Sequence, residues 1–166
     1  MQSPATALHI SVRRYLTELL AHYAEAHHLG AVYDEKALVS LTRNDYEPDV
    51  CFFSQKKANA IQPETLRFPA PDFIAEILSP STEKYDRGIK FEDYAAHGVG
   101  EYWIVDPIAM TVERYLLEGE QYQLQGSPLN PTIESNVVTG FRIPRMALFS
   151  PNEHLKALQK IIGDPS

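Results

Sequence analysis

The chain has 166 residues and a mass of 18.8 kDa, with 44% apolar residues, 22% charged residues and a formal charge of −7. That length suits one domain with a core large enough to need no disulfide or structural metal, and the composition excludes disordered and fibrous classes. The acidic balance argues against a passive nucleic-acid binder that grips by charge alone. It argues less against an enzyme that visits phosphate, because bound divalent cations reverse the local sign.

Residues 8–28 read as a first helix, with Leu8, Val12, Leu16, Leu19, Leu20 and Tyr23 at three- and four-residue spacings and Gly30 as its stop. Short extended segments follow near Ala31–Tyr33 and Ala37–Thr42, then a turn through Arg43, Asn44 and Asp45. Val50–Phe53 is a compact apolar strand entered through Pro48 and Asp49. Residues 54–71 are polar and proline-bearing, a loop with one helical turn predicted around Gln62–Leu66.

Asp72–Leu78 is the next strand. Both of its faces are mostly apolar, the pattern of a strand in the middle of a sheet, yet Glu76 sits near its centre. A second helix is predicted over 85–97 with Gly98 at its C-cap; Asp86, Lys90, Asp93 and His97 share one polar face of it. Glu101–Asp106 reads as a third core strand, parallel to the Glu76 strand because a helix connects them. Thr111–Leu117 and Gln121–Gln125 form a hairpin, Val137–Ile143 a last strand, and Asn152–Ile162 a terminal helix. The expected fold is α/β (α+β), a mixed sheet flanked by helices, in a single domain over residues 1–166.

Cys51 is the only cysteine. It can close no internal disulfide, and no apolar run approaches the roughly 18 residues of a membrane helix, so a soluble cytoplasmic protein is expected. Cys51, Tyr102 and Trp103 read as core. His22, His27 and His28 read as surface residues, for want of a matching cysteine or histidine cluster. Ser79 and Ser81 have no histidine partner at a recognisable spacing, and no glycine-rich phosphate loop is present.

The chemistry concentrates in Asp49, Glu76 and Lys90. A glutamate in a central strand is tolerable only if protonated, paired or bound to a metal. Asp49, entering a neighbouring strand, can converge on it, and two carboxylates at adjacent strand ends make an oxygen site suited to Mg2+ or Mn2+. Lys90 can point into the same cleft and stabilise charge on a phosphate. A structural alternative uses the same residues: Asp49 as a turn former, Glu76 paired with an arginine such as Arg87, and Lys90 as half of an Asp86–Lys90 helix pair.

Four stretches of the sequence carry a resemblance. They are Glu47-Pro48-Asp49-Val50, Pro71-Asp72-Phe73-Ile74-Ala75-Glu76-Ile77-Leu78-Ser79-Pro80-Ser81-Thr82, Lys84-Tyr85-Asp86 through Lys90 and Tyr94, and Gly98-Val99-Gly100-Glu101-Tyr102-Trp103-Ile104-Val105-Asp106. Over roughly residues 45–125 the chain resembles the bacterial family called putative restriction endonucleases, within the PD-(D/E)XK nuclease superfamily.

The resemblance implies a restriction-endonuclease-like mixed sheet with an added hairpin. Asp49 and Glu76 would be ligands of Mg2+ or Mn2+, and DNA the substrate. Leu78 stands where the simple motif has lysine, and Lys90 is then the displaced catalytic lysine, with Lys84 the weaker substitute. Glu18 or Glu25 could supply the first-helix glutamate often added to such sites, and Asp86 could assist or hold Lys90. Endonucleases of this class often pair, so a homodimer is implied. The alternative is a catalytically inactive nuclease-fold binding or regulatory module, or a structural dimerisation domain with Glu76 neutralised by a salt bridge.

Overall fold

A computed structural model describes residues 5–163. Its elements are α1 (Ala7–Ala26), β1 (Gly30–Asp34), β2 (Leu38–Ser40), β3 (Asp45–Tyr46), β4 (Val50–Ser54), α2 (Gln55–Ala58), β5 (Arg67–Phe68), β6 (Phe73–Ile77), α3 (Glu83–Arg87), α4 (Ile89–Ala96), β7 (Glu101–Asp106), β8 (Thr111–Glu118), β9 (Gln121–Leu124), β10 (Thr132–Glu134), β11 (Arg142–Pro144), a 3-10 turn at Arg145–Leu148, and α5 (Pro151–Gly163).

Six strands form the main sheet in the order β1-β4-β6-β7-β8-β9. The β6–β7 pair is parallel, joined by the α3–α4 crossover, and the other pairs are antiparallel. Small ladders β3-β2-β5 and β10-β11 lie beside it. Both faces of the sheet are covered. Val12, Leu16, Leu19 and Leu20 of α1 and Ala157 of α5 pack with Val50, Phe52, Phe73, Ala75, Ile77 and Trp103 on one face. Tyr94 of α4 packs with Cys51, Phe53, Ile74, Leu78, Tyr102 and Ile104 on the other. Thus β6 is buried on both sides, as its two apolar faces predict.

The first helix, expected over 8–28 with Gly30 as its stop, ends at Ala26, and the left-handed turn after it falls on His28 (φ 53°). Gly30 instead opens β1 at φ 152°, where any Cβ would overlap the Phe53 carbonyl oxygen. Three further expectations change. The helical turn of the 54–71 loop falls at Gln55–Ala58, while Gln62–Thr65 closes as a turn capped by the Thr65 hydroxyl. The helix over 85–97 is two helices broken at Gly88, where an added Cβ would stand 2.8 Å from the Lys84 carbonyl oxygen.

The last strand shrinks to β11, paired with β10, and residues 137–141 are turn and loop. The cause is Glu101, fully buried on β7. Its carboxylate accepts the backbone N–H groups of Asn136 (3.0 Å) and Val137 (2.9 Å), the Ser135 hydroxyl (2.6 Å) and the Trp103 indole N–H (2.7 Å). Donors committed to that carboxylate are lost to a ladder.

Candidate active site

Register brings the first two residues together. β4 and β6 run antiparallel with Val50 opposite Ala75 and Cys51 opposite Ile74, so Asp49 falls opposite Glu76. The contact is reciprocal. The Asp49 N–H donates to Glu76 Oε2 (3.3 Å), and the Ile77 N–H donates to Asp49 Oδ2 (2.8 Å). Glu76 is 2% exposed, and it lies where the buried strand reaches the end of the sheet.

The crossover supplies the cation. Lys90 Nζ stands 3.1 Å from Glu76 Oε1 and 2.8 Å from Asp86 Oδ1, and the Tyr94 hydroxyl donates to Glu76 Oε1 at 2.9 Å. The Asp86–Lys90 pair of the structural alternative therefore exists together with the Lys90–Glu76 contact. Arg87 takes no part, making two 2.9 Å bonds to Glu113 and one of 3.1 Å to Glu83. Lys84 is exposed on α3. Asp93 and His97, on the same helical face as Lys90, fasten the segment leading to β3 instead: Asp93 accepts from Asn44 and Tyr46, and His97 Nε2 accepts the Thr42 N–H.

Neither glutamate proposed on the first helix reaches the site. Glu18 is bonded to Arg14 (2.9 Å) and to His154 of α5 (2.7 Å), and Glu25 is exposed. The residue of α1 that does is His9, buried in the first turn, with Nε2 3.3 Å from Asp49 Oδ1. The sequence pattern singles out His22, His27 and His28 and gives no role to His9. The signal was there: His9, Val12, Leu16 and Leu19 form one stripe, with histidine at its head.

Burial dominates the electrostatics of the site. Burial pushes the Glu76 carboxyl up to about 8, against the pull of Lys90 and with Asp49 and Asp86 pushing the same way. Burial also works against the Lys90 charge, but Glu76 and Asp86 outweigh it and hold the ammonium above its ordinary range. The hydrogen bond from His9 to Asp49 raises the imidazole, opposed by burial.

Among the described residues, no three His, Cys, Asp or Glu side chains form a ready metal cage. A two-carboxylate donor set still fits Mg2+ or Mn2+, since Mg2+ keeps several waters and takes one or two carboxylates plus substrate phosphate. Lys90 meets Glu76 and Asp86, and Asp49 lies against Glu76 without touching the lysine, so a divalent cation would add positive charge where the two carboxyl groups meet.

A mixed sheet with helices on both faces, an aspartate and a glutamate opposed at the end of two central strands, and a lysine from the crossover define a restriction-endonuclease-like fold. Residues 1–146 match the model of the Uma2 family, described as "Putative restriction endonuclease". The chain belongs to that family. It is also similar in structure to a protein from Anabaena variabilis ATCC 29413 titled "a putative nuclease belonging to DUF820", with a TM-score of 0.73 and 16% identity, over 95% of this chain and 86% of that one. No curated protein matches. Among the described residues no helix is long and apolar enough to cross a membrane.

Proposed function

We propose that the protein is a metal-dependent endonuclease that hydrolyses DNA phosphodiester bonds, with Asp49 and Glu76 holding Mg2+ or Mn2+ and Lys90 as the displaced lysine. The observation that carries this reading is Glu76, a carboxyl group on a strand buried on both faces, meeting Asp49 and Lys90 at one sheet end. When bound, such an ion supplies a more acidic water and compensates charge on the phosphate oxygens.

The chain's own residues set the rest. Ile77 N–H fixes Asp49, and Tyr94 fixes Glu76. Lys90, held charged by two carboxyl groups, is no proton acceptor; its part is to orient the attacking water and stabilise charge gathering on the phosphate. Because both strands of a duplex require two sites, the reading includes a homodimer.

Cleavage of supercoiled plasmid with Mn2+ tests the proposal, run beside Glu76→Ala and Lys90→Ala. Nicking by the wild type that both substitutions abolish is expected. Nicking that persists in both overturns the site. The charge of −7 favours a second reading, a nuclease-fold binding or regulatory module that does not grip DNA by charge; that reading predicts neither cleavage nor retention of DNA in either Mg2+ or Mn2+.

A further inference from the structure

We infer that His9 is a positioning residue of the site: its Nε2–H donates to Asp49 Oδ1 and holds that carboxylate in the orientation in which it meets the metal. The inference rests on the reading of Asp49 and Glu76 as metal ligands, and it adds a residue from the other helical layer. α1 packs on the face of Val50 and Phe52, whereas Lys90 and Tyr94 come from α4 on the opposite face. His9 and Lys90 thus approach the end of the sheet from its two sides.

Three observations carry it. His9 is 8% exposed, and a buried imidazole at the head of an apolar stripe needs a polar reason to be there. Its Nε2 is 3.3 Å from Asp49 Oδ1, while Oδ2 of the same carboxylate takes the Ile77 N–H at 2.8 Å. Each oxygen is thereby held by one donor, the arrangement that fixes a ligating carboxylate from outside the metal's own shell. Among the described residues its Nδ1 makes no hydrogen bond of normal geometry, the Leu78 backbone being the ring's other polar neighbour, so the Asp49 contact is the ring's main polar tie.

The tautomer follows. A proton on Nδ1 alone would turn the lone pair of Nε2 toward a carboxylate oxygen; a proton on Nε2 turns that contact into a hydrogen bond. Local structure keeps the ring in place, since the Thr6 side chain accepts the His9 backbone N–H at 3.2 Å and caps the helix.

The test is Mn2+ affinity, measured by titration calorimetry on the full chain without DNA. The set comprises wild type, Asp49→Asn, His9→Leu, His9→Ala and His9→Gln, each with a thermal melt. Loss of the donor in His9→Leu and His9→Ala is expected to weaken Mn2+ binding by about 10-fold or more. His9→Gln, which keeps an N–H near the Nε2 position, is expected to stay within about threefold of wild type on the same reasoning.

Wild-type affinity in the folded His9→Leu or His9→Ala protein overturns the role of His9 alone. Equal loss in His9→Gln and His9→Ala overturns positioning in favour of direct ligation by the imidazole. Absence of Mn2+ binding in the wild type, or its persistence in Asp49→Asn, overturns the metal reading and this inference with it. 15N imidazole shifts of the metal-free wild type give an independent check should the variants unfold: a proton on Nε2 is expected, and a ring protonated only on Nδ1 overturns the inference.

Discussion

Lys90 holds Asp86 across a helix break: the ammonium of α4 lies 2.8 Å from the carboxylate of α3, although Gly88 separates the two helices. The spacing is that of an ordinary helical pair, yet Asp86 is 1% exposed and the same ammonium also meets Glu76. Lys90 is therefore the one cation between two buried carboxyl groups.

Lys90→Met removes that cation and keeps most of the side-chain volume. The metal-free variant is expected to lose about 3 kcal/mol in urea unfolding, the scale for breaking a buried pair. A loss under about 1 kcal/mol, the scale of a solvated pair, would mean that water reaches the site freely.

Glu76 makes the metal-free protein less stable as the pH rises toward neutrality. An acid whose folded-state value is raised binds its proton more tightly folded than unfolded, so stability is greatest below the ordinary value and declines toward the raised one. Stability is expected to fall between about 4.5 and about 8 on the pH scale. Glu76→Gln removes this contribution, so the variant should gain on wild type from pH ~5 to pH ~8. A difference that stays constant over that span would place the carboxyl group in an ordinary environment.

Tyr94→Phe deletes the hydroxyl that donates to Glu76 and leaves the ring in the core. A cost of about 1–3 kcal/mol is expected from the unsatisfied carboxyl oxygen, read from the shift of the thermal midpoint. An unchanged midpoint would show that Lys90 alone satisfies that oxygen.

Glu101→Gln tests a buried carboxylate of β7 whose bonding partners are Ser135, Asn136, Val137 and Trp103 rather than the candidate site. Four donors face it, so exchange of an acceptor oxygen for an amide N–H is expected to cost about 2–4 kcal/mol. It should also shift the emission of Trp103, the only tryptophan. Mn2+ affinity of the folded variant should match wild type; a weakened one would tie this carboxylate to the site.

How much was legible depended on what each residue answers to. Asp49 and Glu76 could be read because strand burial leaves a period in the sequence and an acid at a buried position breaks it. The parallel β6–β7 pair followed from chain connectivity. The break at Gly88, the shortened last strand and the role of His9 could not be read so directly. Each is decided by a partner distant in sequence: the Lys84 carbonyl across a bend, the Glu101 carboxylate beneath residues 136 and 137, and Asp49 40 positions from His9. A histidine at the head of an apolar stripe was visible as an oddity, but its purpose lay in another element.

The reciprocal bonds between Asp49 and the 76–77 backbone tie the site to one strand register. A slip of one residue between β4 and β6 turns every side chain of the moved strand to the opposite face, carrying Glu76 away from Lys90 and into the apolar layer under α1. The fold therefore proofreads its own assembly. A chain paired wrongly forfeits the acid–lysine contact and buries a carboxyl group with no cation, which favours the native register over its one-residue slip.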